Sequence, residues 1–90
     1  MKYVLLYESV TEAGAKAPAD LQAHQARMVE FHSRGSLVMA GSFTNAEDGA
    51  MGIFTTREAA EEFIKEDPFV VHGAIESWHI TEWDEALGGR

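Results

Sequence analysis

The sequence predicts an α+β fold in which two helices cover one face of an antiparallel sheet. Three observations carry this. Short apolar runs of strand character stand at both ends of the chain and in its middle, two stretches with helical spacing separate them, and glycine or proline punctuates the junctions.

The elements follow in order. Tyr3 to Glu8 sets large apolar residues on both faces and reads as the first strand, and Thr11 to Ala19, with Gly14 and Pro18, reads as the loop into the first helix. From Asp20 to Gly35, the residues Leu21, His24, Met28 and Phe31 recur at spacings of three, four and three, one stripe of an amphipathic helix. Gly35 stops it as a C-terminal glycine cap would. Leu37 to Phe43 and Met51 to Thr55 are two strands, joined by the turn-rich hairpin loop Thr44-Asn45-Ala46-Glu47-Asp48-Gly49. Thr55 and Glu58 are spaced as a capping box for a second helix, Phe63 and Ile64 supply its apolar stripe, and Pro68 ends it at Asp67. Gly73 to Trp83 is the last strand, and the tail from Asp84 to Arg90 is expected to fray. The order strand, helix, strand, strand, helix, strand is that of the ferredoxin-like split fold, βαββαβ with an antiparallel sheet.

Ninety residues make one domain spanning residues 1–90. A chain of this size buries only roughly 60 to 65 per cent of the surface its unfolded form exposes, so a large additional apolar face needs a partner. Such a face is predicted. Tyr3, Leu5 and Tyr7 alternate with Val4 and Leu6, and Leu37 and Met39 alternate with Val38 and Ala40, so both faces of the sheet are apolar although helices cover only one. The open face is expected to pack on the same face of a second copy, as an isologous homodimer.

Composition narrows the partners further. Fifteen acidic against seven basic residues give a net charge of −8, with the basic residues scattered, which argues against nucleic acid and anionic membrane. Glu58, Glu61, Glu62, Glu66 and Asp67 include the outer face of a helix, where charge chiefly keeps a protein soluble. The absence of cysteine removes disulfide frameworks and thiolate metal sites and fits a reducing compartment. The N-terminal apolar run is too short for a signal-peptide core or a membrane span, and the chain reads as cytoplasmic.

The chemistry rests on His24, an ionisable ring on an apolar helical stripe. In the predicted topology the first helix starts, and the second helix ends, at the same edge of the sheet, so His24 and Asp67 share that edge. His32 lies eight residues further on, about 12 Å down the axis, and reads as a packed or partly exposed residue at the core edge. His72 follows the Asp67-Pro68-Phe69 turn and is near enough in sequence to contribute to ligand binding. His79, in mid-strand, is structural by default. Imidazole titrates near ~6.5 when unperturbed, so it takes and returns protons at neutral pH, and a carboxylate on its other nitrogen fixes the tautomer. Such a pair suits proton abstraction beside a carbonyl or phenol, and so isomerisation, tautomerisation or elimination, with neither metal nor organic cofactor. The same pair also reads as a buried ring satisfied by a carboxylate that ties two elements together.

Weaker candidates surround it. Tyr7, Ser42, Phe43, Phe69 and His72 are the expected substrate-binding residues, and Met51 and Trp78 are further candidates for an apolar wall, although core packing is the commoner role of such side chains. Ser42 has no nucleophile-elbow pattern around it. His24, Asp67 and His72 could form a histidine/carboxylate metal triad, but no HxH or HxxxH spacing supports one, and no metal is expected.

The strand Met1-Lys2-Tyr3, His24 followed by Met28-Val29-Glu30-Phe31-His32 and Gly35, Leu37-Val38-Met39-Ala40-Gly41-Ser42-Phe43, Asp48-Gly49, and Glu58-Ala59-Ala60-Glu61-Glu62-Phe63 running into Asp67-Pro68-Phe69 together resemble the YciI-like, or YCII-related, family over nearly the whole chain. The resemblance implies a homodimeric α+β barrel with a histidine and an aspartate as an acid/base dyad, carried here by His24 and Asp67. It also implies kinship with a dehydrochlorinase of a chlorinated hydroxyquinol and, more widely, with muconolactone isomerase and small monooxygenases. Two readings stay open. One is a cofactor-independent lyase, isomerase or dehydrochlorinase acting on a small aromatic or lactone-like molecule. The other is a non-catalytic dimer, a ligand-binding or accessory protein, in which the dyad is a structural tie.

Overall fold

The computed structural model describes residues 1–10, 18–45 and 48–87. Its elements run β1 (Lys2–Val10), α1 (Pro18–Ser33), β2 (Leu37–Ser42), β3 (Ala50–Phe54), α2 (Arg57–Glu66), α3 (Pro68–Val71) and β4 (Ile75–Trp83). The strands form one antiparallel sheet in the order β2-β3-β1-β4, the ferredoxin-like α+β arrangement. Most of the loop expected between β1 and α1, the middle of the hairpin loop (46–47) and the end of the tail (88–90) lie outside the described residues.

Four local details differ from the sequence expectation. The N-cap of α2 is Thr56 rather than Thr55. The Thr56 hydroxyl accepts the Ala59 N–H at 3.1 Å, while the Thr55 hydroxyl turns to the Ser36 carbonyl, so the helix starts one residue later. Pro68 ends α2 as expected but also opens the short α3, because its fixed φ and missing N–H suit the first position of a helix. In β2, Leu37 and Met39 were expected on one face, yet the register slips between them. Leu37 pairs with Phe54 and is buried, whereas Met39 pairs with Ile53 and is 61% exposed; a bulge between two residues reverses the alternation beyond it. The start of the tail is held rather than frayed, since Glu85 accepts from the Lys2 ammonium at 2.8 Å and pairs with the Met1 amino group at 3.1 Å. That cationic pair holds the Glu85 carboxyl down at about 2.

The core lies between the sheet and the helices. Phe31, Phe54 and Phe63 meet edge-on or tilted, with ring centroids 5.2 to 6.4 Å apart, and Leu5, Leu37, Ala60, Ala74 and Ile75 close around them. Of the α1 stripe only Phe31 is fully buried. Leu21, His24 and Met28 instead face a cavity, so the helix spends its C-terminal half on the core and its N-terminal half on a site. The hairpin is fastened to β1 at Gly49, with φ +96°, where a Cβ would stand 1.7 Å from the Tyr7 carbonyl oxygen. On the opposite face of the sheet, Val4, Leu6, Met51, Ile53 and Trp83 line a shallow apolar groove. No helix among the described residues is long and apolar enough to cross a membrane.

Candidate active site

Asp67 sits at the joint between α2 and α3, fully buried. An aspartate in the N-cap position before a helix commonly caps it with its own carboxylate. Here that bond is absent. The Asp67 backbone carbonyl accepts from the Val70 and Val71 N–H groups at 2.9 Å, while the side chain turns inward and meets two side-chain partners instead. The Tyr7 hydroxyl donates to Oδ2, and His24 Nδ1 lies 2.7 Å from Oδ1. A buried carboxylate thereby finds a partner for each oxygen, drawn from β1 and α1.

The surroundings fix the His24 ring. Phe69, the second residue of α3, stacks on it with centroids 4.2 Å apart and planes 16° apart, and Phe63 meets it edge-on at 6.1 Å. The His24 side chain is 12% exposed. Among the described residues, its second nitrogen, Nε2, has no hydrogen-bond partner, and the ring borders the cavity. Arg27, one turn along α1, donates from Nε to the Phe63 carbonyl at 3.1 Å and from Nη2 to the Glu62 carbonyl at 2.7 Å. It thus caps the C-terminal end of α2 and sets the distance between the helix carrying His24 and the joint carrying Asp67.

Burial pushes the Tyr7 phenol well above the usual tyrosine range. The charge of Asp67 and the hydrogen bond to it act in the same direction, and the positive charge of Arg27 acts weakly against them. Tyr7 is therefore a neutral donor at any physiological pH.

The cavity beside the dyad holds about 140 Å³. Its walls are mostly apolar, from Leu5, Leu21, Met28, Leu37, Phe54 and Phe69, and Ser42 and Gln25 are the uncharged polar side chains on its rim. An apolar cavity of about 150 Å³ in another protein holds one benzene molecule, so the space suits a single six-membered ring.

Of the residues singled out from sequence, the structure brings together His24, Asp67, Tyr7 and Phe69, with Ser42 and Met51 on the cavity lining. Phe43 and Trp78 are partly exposed and do not line it. His72 points away. Its Nδ1 lies 2.9 Å from Asp20 Oδ1 on the surface, because α3 turns the chain so that Phe69 faces inward and His72 outward. His32 Nδ1 meets the Leu37 carbonyl at 2.9 Å at the far end of α1, and His79 pairs with Glu8. Among the described residues, no three His, Asp or Glu side chains stand where they could hold a metal ion.

From the sequence Tyr7 is expected among the substrate-binding residues, and its role as a donor to Asp67 is missed. The signal was available, since a tyrosine on the inward face of a strand needs a partner for its hydroxyl. For Arg27 there was none, because its acceptors are backbone carbonyls that any sequence supplies.

The sequence matches no curated protein. Among solved structures the fold is similar to that of 5-chloro-2-hydroxyhydroquinone dehydrochlorinase (TftG) from Burkholderia phenoliruptrix AC1100, in its complex with 2,5-dihydroxybenzoquinone. The similarity has a TM-score of 0.72 at 16% identity and covers 96% of each chain. The sequence profile of the YCII-related domain matches residues 1–84, and the chain belongs to the YCII-related family.

Proposed function

We propose that this protein is a cofactor-independent acid/base enzyme of lyase or isomerase type that acts on a small single-ring molecule. The observation that carries the proposal is the 2.7 Å contact between His24 Nδ1 and the buried Asp67, with the other edge of the ring bordering a cavity of about 140 Å³. Asp67 orients the imidazole and stabilises its charged form, while Nε2 exchanges a proton with a hydroxyl or carbon of the ring. Returning the proton elsewhere completes an isomerisation. If a leaving group such as chloride departs with its electron pair, the result is an elimination. The dehydrochlorinase with a dihydroxybenzoquinone in its complex supports a ring-shaped ligand. Tyr7, Ser42 and Phe69 are the substrate contacts in this proposal.

The same proposal makes the active form a homodimer, with the apolar groove of Val4, Leu6, Ile53 and Trp83 on the open sheet face covered by a second copy.

One observation favours the second reading, the structural tie. Asp67 joins β1, α1 and the α2–α3 joint at once, which is what a stabilising strut does. The two readings separate experimentally. 2,5-Dihydroxybenzoquinone is titrated into the protein by calorimetry, and chloride release from 5-chloro-2-hydroxyhydroquinone is followed, for the wild type, His24→Ala and Asp67→Asn. The proposal expects ring binding or turnover in the wild type and its loss in both folded variants. Should neither compound nor a panel of phenols and lactones bind or react, while both variants lose about 1 to 3 kcal/mol of stability, the dyad is a tie.

A further inference from the structure

We propose that Tyr7 is the positioning residue of this site: by donating its phenol hydrogen to Oδ2 it commits Asp67 to the acceptor role, so that His24 carries its proton on Nδ1 and presents a bare Nε2 to the cavity. The inference rests on the reading of the cavity as a ligand site, and it adds the sense in which the dyad works. With a bare Nε2 the site begins as a base and takes a proton from its ligand.

The position of one hydrogen sets the sense of the dyad. The contact between Oδ1 and Nδ1 is satisfied in two ways, with the hydrogen on nitrogen and an ionised carboxylate, or on oxygen and a neutral acid. In the second arrangement Nδ1 is the acceptor, so a neutral ring must carry its hydrogen on Nε2. What distinguishes the two is the state of the other oxygen. A donor on Oδ2 strengthens as negative charge builds there, so the Tyr7 hydroxyl stabilises the carboxylate more than the neutral acid. The Arg27 guanidinium is engaged elsewhere, with Glu66 at 3.8 Å and with the carbonyls that close α2. Among the described residues, the side chains that bond the Asp67 carboxylate are those of Tyr7 and His24. Tyr7 is itself buried in the core and stays protonated, so its donor role does not lapse. A phenylalanine would have filled this position as well; the hydroxyl serves Asp67.

Nitrogen-15 spectra of histidine-labelled protein read the tautomer directly, with the His24 signals assigned by their loss in His24→Ala. The wild type is expected to show Nδ1 protonated and Nε2 bare in the neutral ring. In Tyr7→Phe, both routes open to an under-stabilised carboxylate place a hydrogen on Nε2, whether by forming the imidazolium or by moving the tautomer. The ratio of bare to protonated Nε2 at fixed pH is expected to fall about tenfold, the scale of one hydrogen bond to an ion. Site-specific 3-fluorotyrosine at position 7, a stronger donor of nearly the same shape, guards against a folding defect in Tyr7→Phe and is expected to hold Nε2 bare. An unchanged ratio in Tyr7→Phe, or a wild type that carries its hydrogen on Nε2, overturns the proposal. These spectra require no ligand, so the role of Tyr7 and the ring-binding reading fail separately.

Discussion

Removing one oxygen atom tests the centre of this structure. Tyr7→Phe leaves the ring in place and deletes only the hydroxyl that donates to Asp67. A hydrogen bond to a charged group contributes roughly 1.5 to 3 kcal/mol, so the variant should lose about 2 kcal/mol at neutral pH, or about 8 to 16 °C in Tm for a domain of this size. The loss carries a pH signature. The Tyr7 phenol is raised in the folded protein, so it retains its proton where the unfolded chain gives its own up, and the stabilisation is complete below about pH 10. Above that, the wild type loses about 1.4 kcal/mol per pH unit through this group while Tyr7→Phe loses nothing. The two should converge about 1.5 pH units higher, near pH 11.5. Urea unfolding followed by circular dichroism at one protein concentration, at pH 7, 9, 10.5 and 11.5, measures the difference. A gap below about 0.5 kcal/mol at pH 7, or one that stays constant through pH 11.5, would refute the buried phenol–carboxylate account.

Three further outcomes are expected. Gly49→Ala should destabilise the protein by about 3 kcal/mol or more in thermal unfolding, since φ is +96° and the new Cβ would collide with the Tyr7 carbonyl; a change within about 0.5 kcal/mol counts against that close approach. Glu85→Gln should lower Tm at neutral pH and at low salt. Because the folded carboxyl is depressed to about 2 against an ordinary 4.5, the difference from wild type should shrink as pH falls from about 4.5 and vanish near 2. In sedimentation, Leu6→Lys should convert the proposed homodimer to monomer by placing an unpaired charge on the open sheet face, whereas a wild type that sediments as a monomer removes the dimer proposal.

Much of the fold was legible because its signals are local. The period of the apolar residues, Gly35 after α1 and Pro68 after α2 depend on neighbours a few residues away, and they yield the element order without knowledge of packing. Where the reading slipped, the deciding force came from elsewhere. The bulge in β2 is set by how the strand meets β3, and Thr56 rather than Thr55 caps α2 because the Thr55 backbone is tied to Ser36. His72 was drawn toward the site by its closeness in sequence to Asp67, but α3 inserts one turn and rotates it to the surface beside Asp20.

By itself, the sequence determined that an aspartate and a histidine would share one edge of an antiparallel sheet, since strand and helix order dictate which ends coincide. Only the tertiary structure decided what those groups do to each other. Asp67 forgoes capping α3 because burial leaves its carboxylate without water, and the partners within reach belong to residues 43 positions before it and 60 positions before it. Such hydrogen bonds depend on side-chain placement that no spacing rule encodes, so the partnership of Tyr7, Asp67 and His24 emerges only when β1, α1 and the α2–α3 joint are packed together.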